Sequence, residues 1–167
     1  MKKSVKKLVM AALLTALVCV ATMIVKIPSP LKGYINLGDC VVLISGWLLQ
    51  PGYGFLAAGL GSALADILSG YVSYAPATFI IKGLMAIAVY FIYKFMRKKF
   101  SLVPAAVVAG IVAEIIMISG YFVFEGFLYG FGPSLVNIPA NAVQGIAGII
   151  AGTGLIKIFD KSKFSLN

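Results

Sequence analysis

The sequence contains no histidine, and few of its side chains are charged. Charged residues make up 11% of the 167 residues, less than half of the roughly 25% in a typical globular chain. Hydrophobic residues reach 61%, against about 45–50% in such a chain. A soluble domain of this length could not cover its surface with so few charges. We therefore expect an integral membrane protein.

These scarcities also bear on catalysis. The lack of histidine removes most zinc sites and the usual acid–base chemistry. No GxxxxGK[ST] stretch occurs, so the chain has no phosphate-binding loop of the Walker type. We expect no enzyme activity, no cofactor and no bound metal. A membrane-embedded hydrolase in which Glu114 and Asp66 activate water is a less favoured alternative.

Most of the 14 lysine and arginine residues fall into three clusters. One precedes the first apolar run, one lies at 94–99 and one lies at 157–163. Positively charged loops stay in the cytoplasm, and six spans would place all three clusters on that side. The pattern predicts a multi-pass membrane protein with an even number of spans and both termini in the cytoplasm. Nucleic-acid binding is disfavoured, because clusters separated by lipid cannot form one groove.

The apolar runs predict one domain over 1–167, an all-α compact bundle of six transmembrane helices. The basic N-terminus followed by an apolar run also resembles a secretory signal peptide. That run is long for a signal peptide and no A-x-A site follows it, so we interpret it as the first span. The predicted spans are 8–25, 39–50, 53–70, 75–93, 102–124 and 134–159.

The second apolar run, 39–50, is too short to cross a bilayer. Its 12 residues would cover ~18 Å as a helix, whereas the hydrocarbon core is ~30 Å thick. Either the helix extends backwards through Asn36, or the loop at 26–38 dips into the membrane. Irregular backbone at that depth needs protein or a water-filled cavity around it. We predict an outward-opening cavity with this loop as its lid or wall, and Asp39 as a cap of the short helix.

A few polar residues lie inside the predicted spans. Lys82, Glu114 and Asn141 fall ~10–15 Å from the outer ends of their spans. Ionisable residues within a membrane are expensive and are functional candidates by default. Lys82 and Glu114 could instead form a structural ion pair. We keep both interpretations.

Other polar positions share helix faces with these residues. Asn137 and Gln144 lie on one face with Asn141, spaced i, i+4 and i+7, and Glu114, Tyr121 and Glu125 share a face of the fifth span. Together these side chains would line a polar pocket, which suits a small, flat, polar molecule. The predicted substrate-binding residues are Tyr34, Asn36, Asp39, Asp66, Tyr74, Lys82, Glu114, Tyr121, Asn137, Asn141 and Gln144.

Structural roles compete for several of these positions. Asn137 could cap the sixth span, Asp66 could cap or bridge helices, and Glu125 could lie at the membrane interface. The tyrosines could form an interfacial belt. Small residues four apart, such as Ala12 with Ala16, usually pack helices together within a bundle, but on an outer face they could dock a partner helix.

The stretches YINLGDCVVLISGWLLQPGYGFLAAGLGSALADILSGY and YAPATFIIKGLMA, together with AxxxA after the basic N-terminus, resemble one family. This family consists of the S components, the substrate-binding membrane subunits of energy-coupling factor (ECF) transporters. The stretches resemble those members that take pyridoxine-type vitamins or hydroxymethylpyrimidine. The resemblance implies capture of a vitamin from outside and ATP-driven import by a transmembrane T component and two ATPase subunits. It also implies that Ala12 and Ala16 meet the T component. Ligand contacts are implied at Lys82, Glu114, Asn141 and Gln144.

Two alternatives to this function remain open. Other S components take riboflavin, thiamine or pantothenate, and the pocket's residue types do not exclude these substrates. A self-sufficient small transporter or channel is the other alternative, because a dimer of a six-span chain could form a pathway.

Overall fold

Helices make up most of the computed structural model, which describes residues 3–29 and 33–162. Within those residues, six helices have eleven or more residues, and one short helix and a 3-10 turn at Leu135–Asn137 precede the last of them. The helices are α1 (Lys3–Ile24), α2 (Gly38–Leu48), α3 (Pro51–Leu68), α4 (Ala75–Met96), α5 (Leu102–Tyr129), α6 (Phe131–Ser134) and α7 (Ile138–Lys161).

The length and composition of four helical segments agree with the prediction of a membrane protein. Four segments are long and apolar enough to cross a bilayer: Val5–Ile24, Ala75–Met96, Leu102–Tyr129 and Phe131–Lys161. Large apolar side chains cover the outside of the bundle, as at Leu13 in α1, where 59% of the residue is exposed. A surface of this kind is suited to lipid. The cytoplasmic placement of both termini stays a prediction.

Neighbouring helices pack around α2. α3 packs against α1 and α4, and α4 packs against α5. α2 contacts α1, α3, α4 and α7, so it lies in the middle of the bundle. Its residues from Gly38 to Gly46 are all buried. Other fully buried apolar side chains include Val18, Met85 and Met117.

The chain that leads into α2 is not helical. Two short strands, β1 (Ile27–Pro28) and β2 (Tyr34–Ile35), pair in antiparallel fashion. The structure thus has irregular chain before a short helix, and the helix does not extend back through Asn36. The eleven residues of α2 cover ~17 Å. Asp39 does not cap this helix, because the N-cap position is Leu37 and Asp39 lies in the first turn.

The turn between α5 and α7 differs from the prediction. α5 continues five residues beyond 124 to Tyr129 and is followed by the C-cap residue Gly130, whose φ of 93° is accessible to glycine but strained for other residues. The start of α7 is correspondingly later, at Ile138, with Pro139 in its first turn. Glu125 therefore lies within α5 and is buried, which corrects the expectation that it is solvated at an interface.

Candidate functional site

A cavity of about 40 Å³ lies between the β-hairpin and the adjacent ends of α3, α4, α5 and α7. Eight of the predicted site residues line it, so the hairpin does form one wall of a polar cavity. The structure also brings in residues that the sequence interpretation left out of the site. The lining residues are Ser29, Gly33, Tyr34, Asn36, Asp66, Tyr71, Tyr74, Thr78, Tyr121, Glu125, Asn137, Asn141 and Gln144.

Asp66 on α3 is the first of two carboxylates in the cavity. The hydroxyl of Tyr34 donates a hydrogen bond of 2.8 Å to Oδ1 of Asp66. Burial, together with the nearby Asp66 carboxylate, raises the pKa of the Tyr34 hydroxyl, so this group stays protonated and donates. The other oxygen, Oδ2, is buried and has no hydrogen-bond partner among residues 3–29 and 33–162.

Glu125 near the end of α5 is the second carboxylate. Its Oε1 accepts hydrogen bonds from Nδ2 of Asn137 at 2.8 Å and from the Tyr74 hydroxyl at 3.3 Å. Its Oε2 is buried, again without a partner in the described part of the chain. Asn137 does not cap α7 with its side chain, because the amide is turned towards Glu125. Among the described residues, each carboxylate thus keeps one buried acceptor oxygen without a partner.

Aromatic rings form much of the wall between the two carboxylates. The ring centroids of Tyr34 and Tyr71 are 5.0 Å apart, and those of Tyr71 and Tyr74 are 6.3 Å apart. The Thr78 and Tyr121 hydroxyls lie 3.0 Å apart, so they share a hydrogen bond. Such walls offer flat apolar faces with polar edges, which suit a heteroaromatic ring.

The residues that the prediction missed had partial signals. Thr78 lies one helical turn after Tyr74 and one turn before Lys82, so an i, i+4 series marked it. Glu125 was already placed on the face of Tyr121. Tyr71 was interpreted only as a belt residue. Nothing in the sequence singled out Ser29 or Gly33.

Asp39 and Lys82 lie beside the cavity but are not among its lining residues. They form an ion pair through Asp39 Oδ1, with 0% and 3% of their side chains exposed. Lys82 thus pairs with Asp39, and not with Glu114 as the structural alternative proposed. The second oxygen of Asp39 accepts a hydrogen bond of 2.6 Å from Nε2 of Gln144, which does line the cavity.

Glu114 is also outside the lining of the cavity. Only 4% of the residue is exposed, and neither of its carboxylate oxygens has a hydrogen-bond partner within the described residues. A Cβ atom at Gly148 would lie 3.1 Å from Oε1 of Glu114 and 2.9 Å from Cβ of Asp39. The two carboxylate side chains therefore approach α7 at a place where it has no side chain.

Two pairs of small residues four positions apart, Ala12 with Ala16 and Gly148 with Gly152, have different surroundings. Ala12 and Ala16 are exposed on α1, on the outside of the bundle. Gly148 and Gly152 are buried in α7, where they face α2. Only the alanine pair is accessible to another protein.

Comparison with known sequences identifies the family. A family model described as the ECF-type riboflavin transporter, S component, matches residues 2–161. An uncharacterized protein from Pyrococcus woesei is 38% identical over 145 residues, which cover 86% of this chain and 95% of that protein. The thiamine precursor transporter HmpT of Lactococcus lactis is 25% identical over 163 residues, covering 96% and 91% of the two chains.

Solved structures show the same fold. The S component of a bacterial ECF transporter superposes with a TM-score of 0.76 and 24% identity, covering 95% of this chain and 97% of that one. The S component for biotin from an ECF-type ABC transporter gives a TM-score of 0.60 at 21% identity, with 92% of each chain covered. With the family model spanning residues 2–161, this chain belongs to the ECF-type riboflavin transporter S-component family.

Proposed function

We propose that this chain captures a single-ring heteroaromatic vitamin or vitamin precursor that carries amino or hydroxymethyl groups. Hydroxymethylpyrimidine and pyridoxine-type vitamers are the substrates we favour. S components are substrate-binding subunits that work with a T component and ATPases and are not themselves enzymes. The observation that carries the choice of substrate is the pair of carboxylates that line the cavity, each with one buried oxygen that has no hydrogen-bond partner among the described residues.

Two free carboxylate oxygens favour a ligand that donates hydrogen bonds. An ionised carboxylate only accepts, and a buried acceptor without a partner costs free energy. Amino and hydroxymethyl groups would supply the missing donors to Asp66 and Glu125. A substrate with its own carboxylate, such as biotin or pantothenate, would meet two like charges.

The size of the cavity favours one ring over three. Its volume of about 40 Å³ is far below the roughly 300–1,000 Å³ of sites that hold drug-sized ligands. Four of its lining residues, Ser29, Gly33, Tyr71 and Tyr74, also line a second cavity of about 400 Å³. A substrate that occupies the smaller, more polar cavity must push the hairpin and the tyrosine side chains apart. A pyrimidine or pyridine needs much less expansion than the three fused rings and ribityl chain of riboflavin. The similarity to a thiamine precursor transporter supports a pyrimidine, whereas the family description names riboflavin, which is the second candidate.

Calorimetric titration of the detergent-purified protein with hydroxymethylpyrimidine, pyridoxine and riboflavin tests the proposal. We expect a single-ring compound to bind and riboflavin to bind at least tenfold more weakly. Asp66→Asn and Glu125→Gln should each weaken binding by about tenfold or more, because a hydrogen bond to a charged group contributes roughly 1.5–3 kcal/mol. Asp160→Asn is the matched control, since Asp160 is an exposed acid at the end of α7.

Two results would contradict the proposal. Binding of riboflavin alone would keep the S component and replace the substrate. Wild-type affinity for a single-ring compound in both carboxylate variants would mean that the substrate does not contact Asp66 or Glu125.

For import, we propose that α1 is the surface that meets the T component, with both termini on the cytoplasmic side. Ala12 and Ala16 support this, because both are exposed and small residues let helix backbones approach closely. Apolar side chains of α1 flank them on the outside of the bundle, including Leu13 and Leu17.

A further inference from the structure

A chain of polar contacts runs from the cavity wall into the centre of the bundle. Lys82 on α4 pairs with Oδ1 of Asp39 on α2. Oδ2 of Asp39 accepts a hydrogen bond of 2.6 Å from Nε2 of Gln144 on α7. Oε1 of Gln144 accepts a hydrogen bond of 2.8 Å from the backbone N–H of Asn36, just after the β-hairpin. All four residues are buried.

These polar contacts give the Gln144 amide only one satisfactory orientation. A carboxylate paired with an ammonium group can only accept a hydrogen bond, and a backbone N–H can only donate one. The NH₂ group of Gln144 must therefore face Asp39, and its carbonyl must face Asn36. The flipped amide would oppose oxygen to oxygen and N–H to N–H. The ion pair thus fixes the orientation of the Gln144 amide, which is buried away from solvent.

The backbone N–H of Asn36 is one anchor that holds the hairpin at the cavity. The hydrogen bond from Tyr34 to Asp66 is a second. Beyond the first anchor, Oδ1 of Asn36 accepts a hydrogen bond of 2.8 Å from the N–H of Gly38, the first residue of α2. The start of α2, the hairpin and the cavity wall are therefore positioned together.

Stability alone does not account for the buried charges. Replacing a buried ion pair by well-packed apolar residues is often neutral or stabilising, because desolvation offsets the Coulomb attraction. We propose that Asp39 and Lys82 are positioning residues, which set the affinity for substrate through Gln144 and the Asn36 backbone without contacting the substrate. The effect on affinity rests on the function proposed above, whereas the effect on the hairpin does not.

An exchange of side chains tests this proposal. In Asp39→Asn the acceptor that orients Gln144 becomes an amide that can turn either way, and in Gln144→Glu two carboxylates face each other. The double variant moves the carboxylate to position 144. There it can accept from the Asn36 N–H and from the new amide at 39, and it keeps one negative charge for Lys82. We therefore expect both single variants to be impaired and the double variant to recover.

The first measurement needs no ligand. Hydrogen–deuterium exchange of the segment 34–38 reports on the Asn36 N–H. We expect this amide to exchange at least tenfold faster in each single variant and within about threefold of the wild-type rate in the double variant. Ser45→Ala is the control, because Ser45 is a buried polar residue of α2 whose hydroxyl donates a hydrogen bond to the Val41 carbonyl of the same helix. In the Ser45→Ala variant, the exchange rate of the segment 34–38 should match the wild-type rate.

The second measurement is calorimetric affinity for hydroxymethylpyrimidine in the same variants. We expect at least a tenfold loss in each single variant and recovery in the double variant. Unchanged exchange at 34–38 in both single variants would overturn the proposal, as would a double variant that stays as impaired as the singles. Altered and rescued exchange in a protein that binds none of the tested compounds would support positioning of the hairpin while counting against the proposed substrate. If a single variant does not fold, the double variant tests the proposal. Wild-type protection of the Asn36 N–H from exchange in the double variant would support the proposal, and loss of that protection would overturn it.

Discussion

The hydroxyl of Tyr34 and the carboxylate of Asp66 join the β-hairpin to α3 through a hydrogen bond of 2.8 Å. The two residues are 32 positions apart in the chain, and both line the cavity. This contact fixes one wall of the cavity and occupies one of the two oxygens of Asp66.

Tyr34→Phe should weaken substrate binding by about three- to thirtyfold, because it removes a hydrogen bond to a charged group that holds one wall of the cavity. Calorimetric titration with hydroxymethylpyrimidine measures the change. Tyr53→Phe is the control, since Tyr53 lies near the opposite end of α3, ~20 Å along the helix from Asp66. Equal affinity of the wild type and Tyr34→Phe would show that this contact does not shape the site.

Glu114→Gln should raise the thermal stability of the protein. Glu114 is buried, its carboxylate has no hydrogen-bond partner among the described residues, and Asp39 approaches the same glycine of α7. Glutamine has nearly the same shape and cannot carry a second negative charge beside Asp39, so we expect it to add about 1–3 kcal/mol. Thermal unfolding followed by circular dichroism in one detergent tests this. Glu125→Gln serves as the comparison and should not stabilise, because that carboxylate has two partners. A lower melting temperature for Glu114→Gln would mean that the charge has a partner.

Gly148→Ala should destabilise the bundle by about 1–3 kcal/mol, as overpacking does in a close-packed interior. The added methyl group would lie 2.9 Å from Cβ of Asp39. Gly154→Ala is the matched control on the same helix, because nothing lies within 4 Å of its added carbon. That change should stabilise by up to about 1 kcal/mol through helix propensity. The free energy of unfolding in denaturant distinguishes the two variants. If both variants are equally stable, α7 lies further from α2 than the structure shows.

Ala12→Leu combined with Ala16→Leu should abolish most vitamin uptake in cells that contain the T component and the ATPases, while leaving binding to the purified protein unchanged. The larger side chains would separate helix backbones that small residues allow to meet. Val143→Phe adds bulk to another exposed face, on α7, and should leave uptake intact. Normal uptake in the double leucine variant would move the partner surface away from α1.

Helix positions could be predicted from the sequence because apolar runs and proline positions mark them directly. The start of α4 at Ala75 and of α5 at Leu102 agrees with the predicted spans. The end of α5 was missed, since the residues after 124 are compatible with a helix or a loop and the helix ends only at Tyr129, before Gly130. The short second span correctly indicated irregular chain beside a cavity, because a helix of eleven residues cannot cross a bilayer alone.

Side-chain partners were harder to predict than helix positions. Depth along a span follows from counting residues, but the direction in which a helix is rotated does not. Lys82 and Glu114 have comparable depths, so an ion pair between them was a reasonable alternative. The structure instead pairs Lys82 with Asp39, 43 residues away, because α2 lies in the middle of the bundle and presents Asp39 to α4.

The burial of α2 on every side has a mechanical consequence. Helices with lipid-facing surfaces tilt or bend when the thickness of the bilayer changes. From Gly38 to Gly46, α2 has no such surface, so its position depends on its protein neighbours alone. Asp39, at the start of this helix, is thereby shielded from changes in lipid composition, and the cavity that adjoins it should keep its shape in thick and thin membranes alike.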